Sequence, residues 1–406
     1  MRCRLCGYNN LTMFLDLGYT ALADRFMTLD QLREPEVTYP LRVLRCNECN
    51  FVQLDHIVDP KILYQEEYPY ESSTTRTGRS HFDAFADSVI KEFGIAPGGL
   101  VIDIGSNVGV LLTAFKKRGM QVLGIDPAGN IAQIAEKNGI PTLVDFFNMP
   151  LAQHIVAGHG RAKIATASNV FAHIDDLTAL MRAIKLLLDD DGIFIVEAPY
   201  LDHLIQALEY DTIYHEHLSY LSVTPLVRFF QRMDMELFDV QQVDIHGGSI
   251  RFFVGHPGRH VPTRAVHDTL ARERDSGLHT LARLNDFAGR VKDHRDKLRH
   301  LIHALRRQGK RIAGVSAPAK GMTLLNYCKI GSESLEFLTE KTPLKIGRFA
   351  PGNHLPVLPD EALVSEGIDY ALLLAWNFKA EIMENLMTFR ENGGKFIVPI
   401  PEPLIV

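Results

Sequence analysis

The chain has 406 residues, 46% hydrophobic, with a net charge of −6 and both signs interspersed, so two or three domains are expected rather than one core. No Lys/Arg run is long enough to track a phosphate backbone, which argues against nucleic acid as a partner. The start Met1-Arg2-Cys3-Arg4-Leu5-Cys6 lacks a signal-peptide core, and no stretch approaches the roughly 18 uninterrupted apolar residues of a membrane span, which predicts a soluble, cytoplasmic protein.

Residues 1–75 are rich in short polar and turn segments and read as loop-like, with Cys3-x2-Cys6 and Cys46-x2-Cys49 set 39 residues apart. Four thiolates in two such pairs can converge on one tetrahedral ion, and a filled tetrahedron leaves no position for water or substrate. A small domain held by structural zinc is expected. Cys328 stands alone and reads as a core residue.

From about residue 76 the texture changes. Leu100 to Ile104, Gln121 to Ile125, Ile164 to Ser168 and Gly192 to Glu197 are strand-like, each separated by helix-length sequence, which specifies a parallel sheet covered by helices. Glu236 to Asp244 and Ser249 to Val254, joined at His246-Gly247-Gly248, predict an antiparallel hairpin closing the sheet edge. The central domain is placed at 76–256.

The first strand runs into Asp103-Ile104-Gly105-Ser106-Asn107-Val108-Gly109. Gly105 and Gly109 let the backbone pass close to a ligand, and Asp103 can hold a cationic amino group. Asp126, at the end of the second strand, can accept both hydroxyls of a ribose. Nicotinamide enzymes share these features, but their pyrophosphate loop uses three glycines, and this loop has only G-x3-G. An adenosyl ligand without phosphates fits better, so S-adenosylmethionine (SAM) is the predicted cofactor. Asn107 belongs to the same loop, Asp145 and Phe146 can serve the adenine, and Asn169 follows the fourth strand.

Tyr210-Asp211-Thr212-Ile213-Tyr214-His215-Glu216-His217-Leu218-Ser219-Tyr220 packs two histidines, acids and three tyrosines into eleven residues. Polar residues so dense are not expected in a core; they read as a catalytic segment, with a solvated loop or a His-x-His metal patch as the alternatives. A carbon nucleophile must lose a proton to a base whose pKa is near the working pH, which suits histidine, with Glu216 or a tyrosine hydroxyl orienting it or holding an oxyanion. His173 could reach the same cleft, although a lone histidine beside an aromatic is more often structural.

Residues 257–308 are charged and helix-periodic, with Leu270, Leu278, Leu281, Leu284, Phe287, Val291 and Leu298 on one stripe. A second alternating unit occupies 309–406, with strand candidates Arg311 to Ser316, Leu335 to Leu338, Tyr370 to Leu374 and Lys395 to Pro399. The turn after Val315, rich in Ser and Ala before Lys320, suits a diphosphate cradle; an ordinary strand-to-helix turn is the other reading. Lys320, Arg348 and His354 are the polar residues expected near phosphates or nucleoside.

These residues together resemble the sugar C-methyltransferases, typified by C-3′-methyltransferases of nucleotide-linked 4-keto-6-deoxy sugars. The likeness runs through the cysteine module, Ile102 to Gly109, Asn169-Val170-Phe171-Ala172-His173, Tyr214 to Tyr220, Gly314-Val315-Ser316-Ala317-Pro318-Ala319-Lys320-Gly321, and Gly347-Arg348-Phe349-Ala350-Pro351-Gly352-Asn353-His354. Val108, where the family usually has Asp, and Pro318, within its Ser-Ala-Lys-Gly order, are departures. The resemblance implies an α/β protein with a small N-terminal zinc-binding domain, a central Rossmann-like SAM-dependent methyltransferase domain and a second, C-terminal Rossmann-like domain for the sugar nucleotide. It also implies an active-site trio of Tyr214, Glu216 and His217, with His217 as base and His173 assisting. The implied substrate is a TDP- or GDP-linked 4-keto-6-deoxy sugar, methylated at C3 through an enolate, with Tyr220 added to the expected substrate contacts. Oxygen or nitrogen methylation of a nucleotide sugar, and an NAD-dependent sugar epimerase or reductase, are the alternatives; the latter lacks a third loop glycine and a Tyr-x3-Lys pair. Three domains that bury their own apolar stripes predict a monomer.

Overall fold

The computed structural model describes residues 1–64, 75–245 and 247–406, and its strands form three sheets. β1 (Leu11–Thr20), β2 (Tyr39–Cys46) and β3 (Val52–Leu54) pair antiparallel in that order. The stretch expected to be loop-like therefore contains a three-stranded antiparallel sheet. Leu15, Leu17, Leu41 and Val43 point inward between more exposed neighbours, so the polar residues are the outer half of a period-two pattern.

The central sheet contains β4 (Leu100–Ile104), β5 (Gln121–Ile125), β6 (Thr142–Leu143), β7 (Ala162–Ser168) and β8 (Leu188–Pro199). The chain then contributes β9 (Ser219–Tyr220) to the N-terminal sheet, against β3, before returning as β10 (Glu236–Val243) and β11 (Ser249–Gly255). The order is β6-β5-β4-β7-β8-β11-β10. Burial of Val101, Ile102, Ile104, Ile164, Ala165 and Ile193 to Val196 is the continuous apolar run of strands covered on both faces. The predicted hairpin forms, but its reversed strand is β11, inserted beside β8, while the edge strand β10 runs with the rest. His246, at the tip, lies outside the described residues.

Two helices follow, Arg264–Asp275 and Leu281–Arg307, the second capped by the Thr280 hydroxyl on the Arg283 amide. Leu284, Phe287, Val291, Leu298, Ile302 and Leu305 are buried at helical spacing. Leu278 is also buried, in the loop before this helix, whereas Leu270 is half-buried and Leu281 is exposed.

The third sheet contains β12 (Ile312–Val315), β13 (Leu338–Thr339), β14 (Val357–Leu358), β15 (Tyr370–Leu373), β16 (Lys395–Val398) and β17 (Leu404–Ile405). Its order is β14-β13-β12-β15-β16-β17, parallel except for β17. The N-terminal sheet, the Leu281–Arg307 helix and this sheet share one core, while the four zinc-spaced cysteines border the core of the central sheet. The N-terminal module is thus packed on both. Among the described residues no helix is long and apolar enough to cross a membrane.

Candidate active site

The sulfurs of Cys3, Cys6, Cys46 and Cys49 lie within 4.8 Å of one another, with Cys3–Cys49 at 3.5 Å and Cys6–Cys46 at 3.6 Å. A zinc ion bonded to four sulfurs at about 2.3 Å sets them roughly 3.8 Å apart, so this set fits the ion. Cys3, Cys46 and Cys49 are buried and Cys6 half-buried, and four sulfurs leave no open position. The metal's task here is to hold the knuckles together.

In both parallel sheets the direction reverses beside the first strand, the topological switch point where ligands bind. The carboxyl ends of the two sheets open onto one cleft of about 860 Å³, large enough for two small ligands. Every predicted donor residue except Gly109 lines it: Asp103, Gly105, Asn107, Asp126, Asp145, Phe146 and Asn169. Gly109 stands against Ile140, where a Cβ would approach within 2.8 Å, and its φ of 79° starts the helix Val110–Lys117. Gly105 has φ 69° and a Cβ there would come within 2.4 Å of Val170, so only glycine fits. Asn107 and Asn169, with φ 48° and 57°, hold strained turns of the kind that collect at binding sites.

Asp126 accepts the Asn107 amide on one oxygen and the Ala128 amide on the other, both at 2.9 Å. A carboxylate offers about four lone-pair sites, so capacity remains for a ribose diol. Burial raises its pKa and the two amides pull it back. Asp103 accepts the Thr166 hydroxyl at 2.6 Å, and burial pushes its carboxyl up to about 7. Ser168, on the same cleft, has a buried hydroxyl without a hydrogen-bond partner among the described residues. Asp145 accepts the Phe146 amide at 2.7 Å and stays exposed. These residues fit SAM.

The dense segment differs from its expected setting. Tyr210, Asp211, Thr212, His215, Glu216, Ser219 and Tyr220 are all buried, because three sheets close over them. The Tyr210 hydroxyl donates to His294 Nδ1 at 3.0 Å, and Trp376 Nε1–H donates to Asp211 at 2.7 Å. Tyr214, Glu216, His217 and His173 reach the cleft. His217 Nδ1 lies 2.7 Å from the Thr212 carbonyl; that oxygen can only accept, so the proton sits on Nδ1 and Nε2 is the basic nitrogen. The Tyr214 ring lies 4.0 Å from the His217 ring, centroid to centroid, and the His173 ring 5.0 Å on. Burial, and then the neighbouring His217, hold the His173 imidazole well below its ordinary pKa, and its Nε2 is shut from solvent without a partner among the described residues. His215 instead contacts the Pro40 carbonyl at 3.3 Å, away from the cleft, and burial lowers it to about 4. A His-x-His metal pair is therefore not formed.

Of the expected substrate contacts, only Lys320 lines the cleft. Its ammonium donates to Asn377 at 3.2 Å and lies 4.2 Å from the centre of the Trp376 ring. Tyr220 is not there: β9 pairs it with Val52, deep in the N-terminal sheet. Nor are Arg348 and His354. The segment 348–357 folds back on itself and on Met27, and His354 is exposed and pairs with Glu36 at 3.0 Å. The turn expected to cradle a diphosphate already commits its Ala317 amide to Glu340, at 3.0 Å.

Two other residues on the cleft, Asp24 and Lys345, carried no sequence signal. Lys345 is buried, donating to Asp24 at 2.9 Å and to the Ala317 carbonyl at 2.8 Å, with Phe26 beneath it. These partners lie far apart in sequence. Glu340 could have been found, because it follows the second strand of its unit just as Asp126 does.

Residues 3–64 match a zinc binding domain family, 79–240 a methyltransferase domain and 244–401 a C-methyltransferase C-terminal domain. The chain is 36% identical over 405 residues to the C-methyltransferase NovU of Streptomyces niveus, covering 100% of this chain and 96% of that one. A ubiquinone biosynthesis O-methyltransferase of Rhodopseudomonas palustris is 31% identical over 110 residues, 26% of this chain and 42% of its own length. Among solved structures, the magnesium protoporphyrin IX methyltransferase of Synechocystis PCC 6803 with bound SAM aligns at TM-score 0.34 and 14% identity, over 44% of this chain and 79% of that one.

Proposed function

The chain belongs to the C-methyltransferase family, and from that premise we propose that it methylates C3 of a nucleotide-diphosphate-linked 4-keto-6-deoxy sugar, as in deoxysugar biosynthesis, by base-catalysed enolate formation. The observation that carries this reading is the single cleft onto which both parallel sheets open, with His217 on its wall. One sheet serves the methyl donor and the other the nucleotide of the acceptor.

When bound, SAM supplies an electrophilic methyl carbon on a sulfonium. Gly105, Asn107, Asp126, Asp145, Phe146 and Asn169 hold its adenosine half, and Asp103 its ammonium. A ketone at C4 acidifies the proton on C3. His217 Nε2 takes that proton, and the Thr212 carbonyl on Nδ1 stabilises the imidazolium that results. Because His173 is neutral, the charge gained by His217 meets no cation beside it. The Tyr214 hydroxyl is the donor to the enolate oxygen, and Glu216 orients the pair. Carbon C3 is then the nucleophile for the methyl.

The reading is tested by supplying TDP- and GDP-linked 4-keto-6-deoxy sugars in deuterated water. With S-adenosylhomocysteine bound, deuterium should enter C3; with SAM, the product should carry its new methyl on that carbon. A methyl found on oxygen or nitrogen would sink the mechanism.

A further inference from the structure

The turn that opens the C-terminal sheet repeats the turn that opens the central one. After β4, Gly105 takes φ 69°, and the Asn107 amide donates to Asp126, the first residue beyond the second strand. After β12, Ser316 takes φ 67°, and the Ala317 amide donates to Glu340, again the first residue beyond the second strand. The Asp126 amide donates to Leu143, the last residue of the third strand, at 3.0 Å; the Glu340 amide donates to Leu358, the last residue of its third strand, at 2.9 Å. Each carboxylate also accepts an amide just downstream, Ala128 for Asp126 at 2.9 Å and Lys341 for Glu340 at 2.7 Å. Both line the same cleft.

A carboxylate in this position of a parallel α/β unit is placed to accept the hydroxyls of a ribose. We propose that Glu340 accepts the sugar hydroxyl of the nucleotide half of the acceptor, as Asp126 is placed to do for the adenosine of the donor; this rests on the reading that the acceptor is nucleotide-linked. Glu340 accepts the Lys341 amide and, at 3.5 Å, the Thr342 amide on Oε1, and the Ala317 amide on Oε2, which leaves a lone pair on Oε2 for a hydroxyl. The same contact moves the diphosphate. With an anionic carboxylate on the Ala317 amide, the turn itself repels phosphate, and lysines on the cleft wall, Lys320 and Lys341 among them, are the cations left to meet it.

The test is calorimetric titration of the full chain with TDP and GDP and with the 3′-deoxy analogue of each, using S-adenosylhomocysteine as a control for the other half of the cleft. In the unaltered protein, removal of the 3′-hydroxyl should weaken binding about tenfold or more, the usual effect of losing a hydrogen bond to a charged group. Glu340→Ala should weaken the parent nucleotide by a similar factor and no longer distinguish it from its analogue, while S-adenosylhomocysteine binds as before. A merely structural Glu340 would lower both nucleotides alike and keep the distinction. If Glu340→Ala loses S-adenosylhomocysteine binding, the unaltered protein's own discrimination decides. Nucleotide binding indifferent to the hydroxyl overturns the inference and leaves the proposed reaction standing. Absence of any nucleotide binding overturns both.

Discussion

The central and C-terminal sheets present the same backbone turn to one cleft but secure it by different means. In the central sheet Val170 stands where a Cβ on Gly105 would have to go, so glycine is required twice over, by φ and by space. In the C-terminal sheet Ser316 adopts nearly the same φ with its Cβ in place. There the turn is held through Ala317, whose amide is bound by Glu340 and whose carbonyl is bound by the buried Lys345. A left-handed φ costs a non-glycine residue about 1–2 kcal/mol, and these charged hydrogen bonds offset it. The lesson is that positive φ alone does not call for glycine; what stands behind the Cα decides.

The largest expected effect lies at the seam between the two sheets. His217→Asn should lower turnover at least about a hundredfold, a general-base contribution, while both ligands bind as before; near-normal turnover would move the base to His173. Next, Gly105→Ser imposes on the central turn the residue type that the other tolerates. Left-handed strain and the clash with Val170 together should cost about 2–4 kcal/mol, lowering the melting temperature and the donor affinity while nucleotide affinity holds. A melting temperature equal to that of the parent would mean that both turns tolerate a side chain equally. A smaller effect is expected from pH. Asp103 must ionise to hold the donor's ammonium, and burial keeps its proton on up to about pH 7. Donor affinity should therefore fall roughly five- to tenfold from pH 7.5 to pH 6, and Asp103→Asn should flatten that dependence; nucleotide affinity has no such requirement at this residue. The smallest change is expected from Ser316→Gly. Relief of strain and the greater entropy of an unfolded glycine nearly cancel, so stability measured by urea titration should move by less than about 1 kcal/mol. A loss beyond about 2 kcal/mol would mean that the serine side chain itself holds the turn.

The central-sheet wall of the cleft, where the donor is proposed to sit, was legible because its signal is local. Asp103, Gly105 and Gly109 lie within one loop, and Asp126 follows a strand whose apolar run is continuous. The dense segment was legible in composition and not in setting. Its polar residues are of a density not expected in a core, whereas Tyr210 is satisfied by His294 and Asp211 by Trp376, partners supplied by elements far along the chain. For the same reason Tyr220, Arg348 and His354 looked like ligand contacts and proved to be pieces of sheet and fold-back loop. Asp24 and Lys345 were invisible for the converse reason: 321 residues separate them, and neither sits in a pattern.

β9 begins two residues beyond His217, yet it is hydrogen-bonded into the N-terminal sheet, and the Leu54 amide reaches the Leu218 carbonyl at 2.9 Å. Arg4, between the first two cysteines, donates to that same carbonyl at 3.2 Å. The sulfur knuckles and His217, the proposed base, are therefore joined by a few covalent and hydrogen bonds. Chelating or oxidising the thiolates would let the histidine drift before the central sheet melts, so zinc supply would act on this protein as a throttle on its rate as well as a condition of its folding.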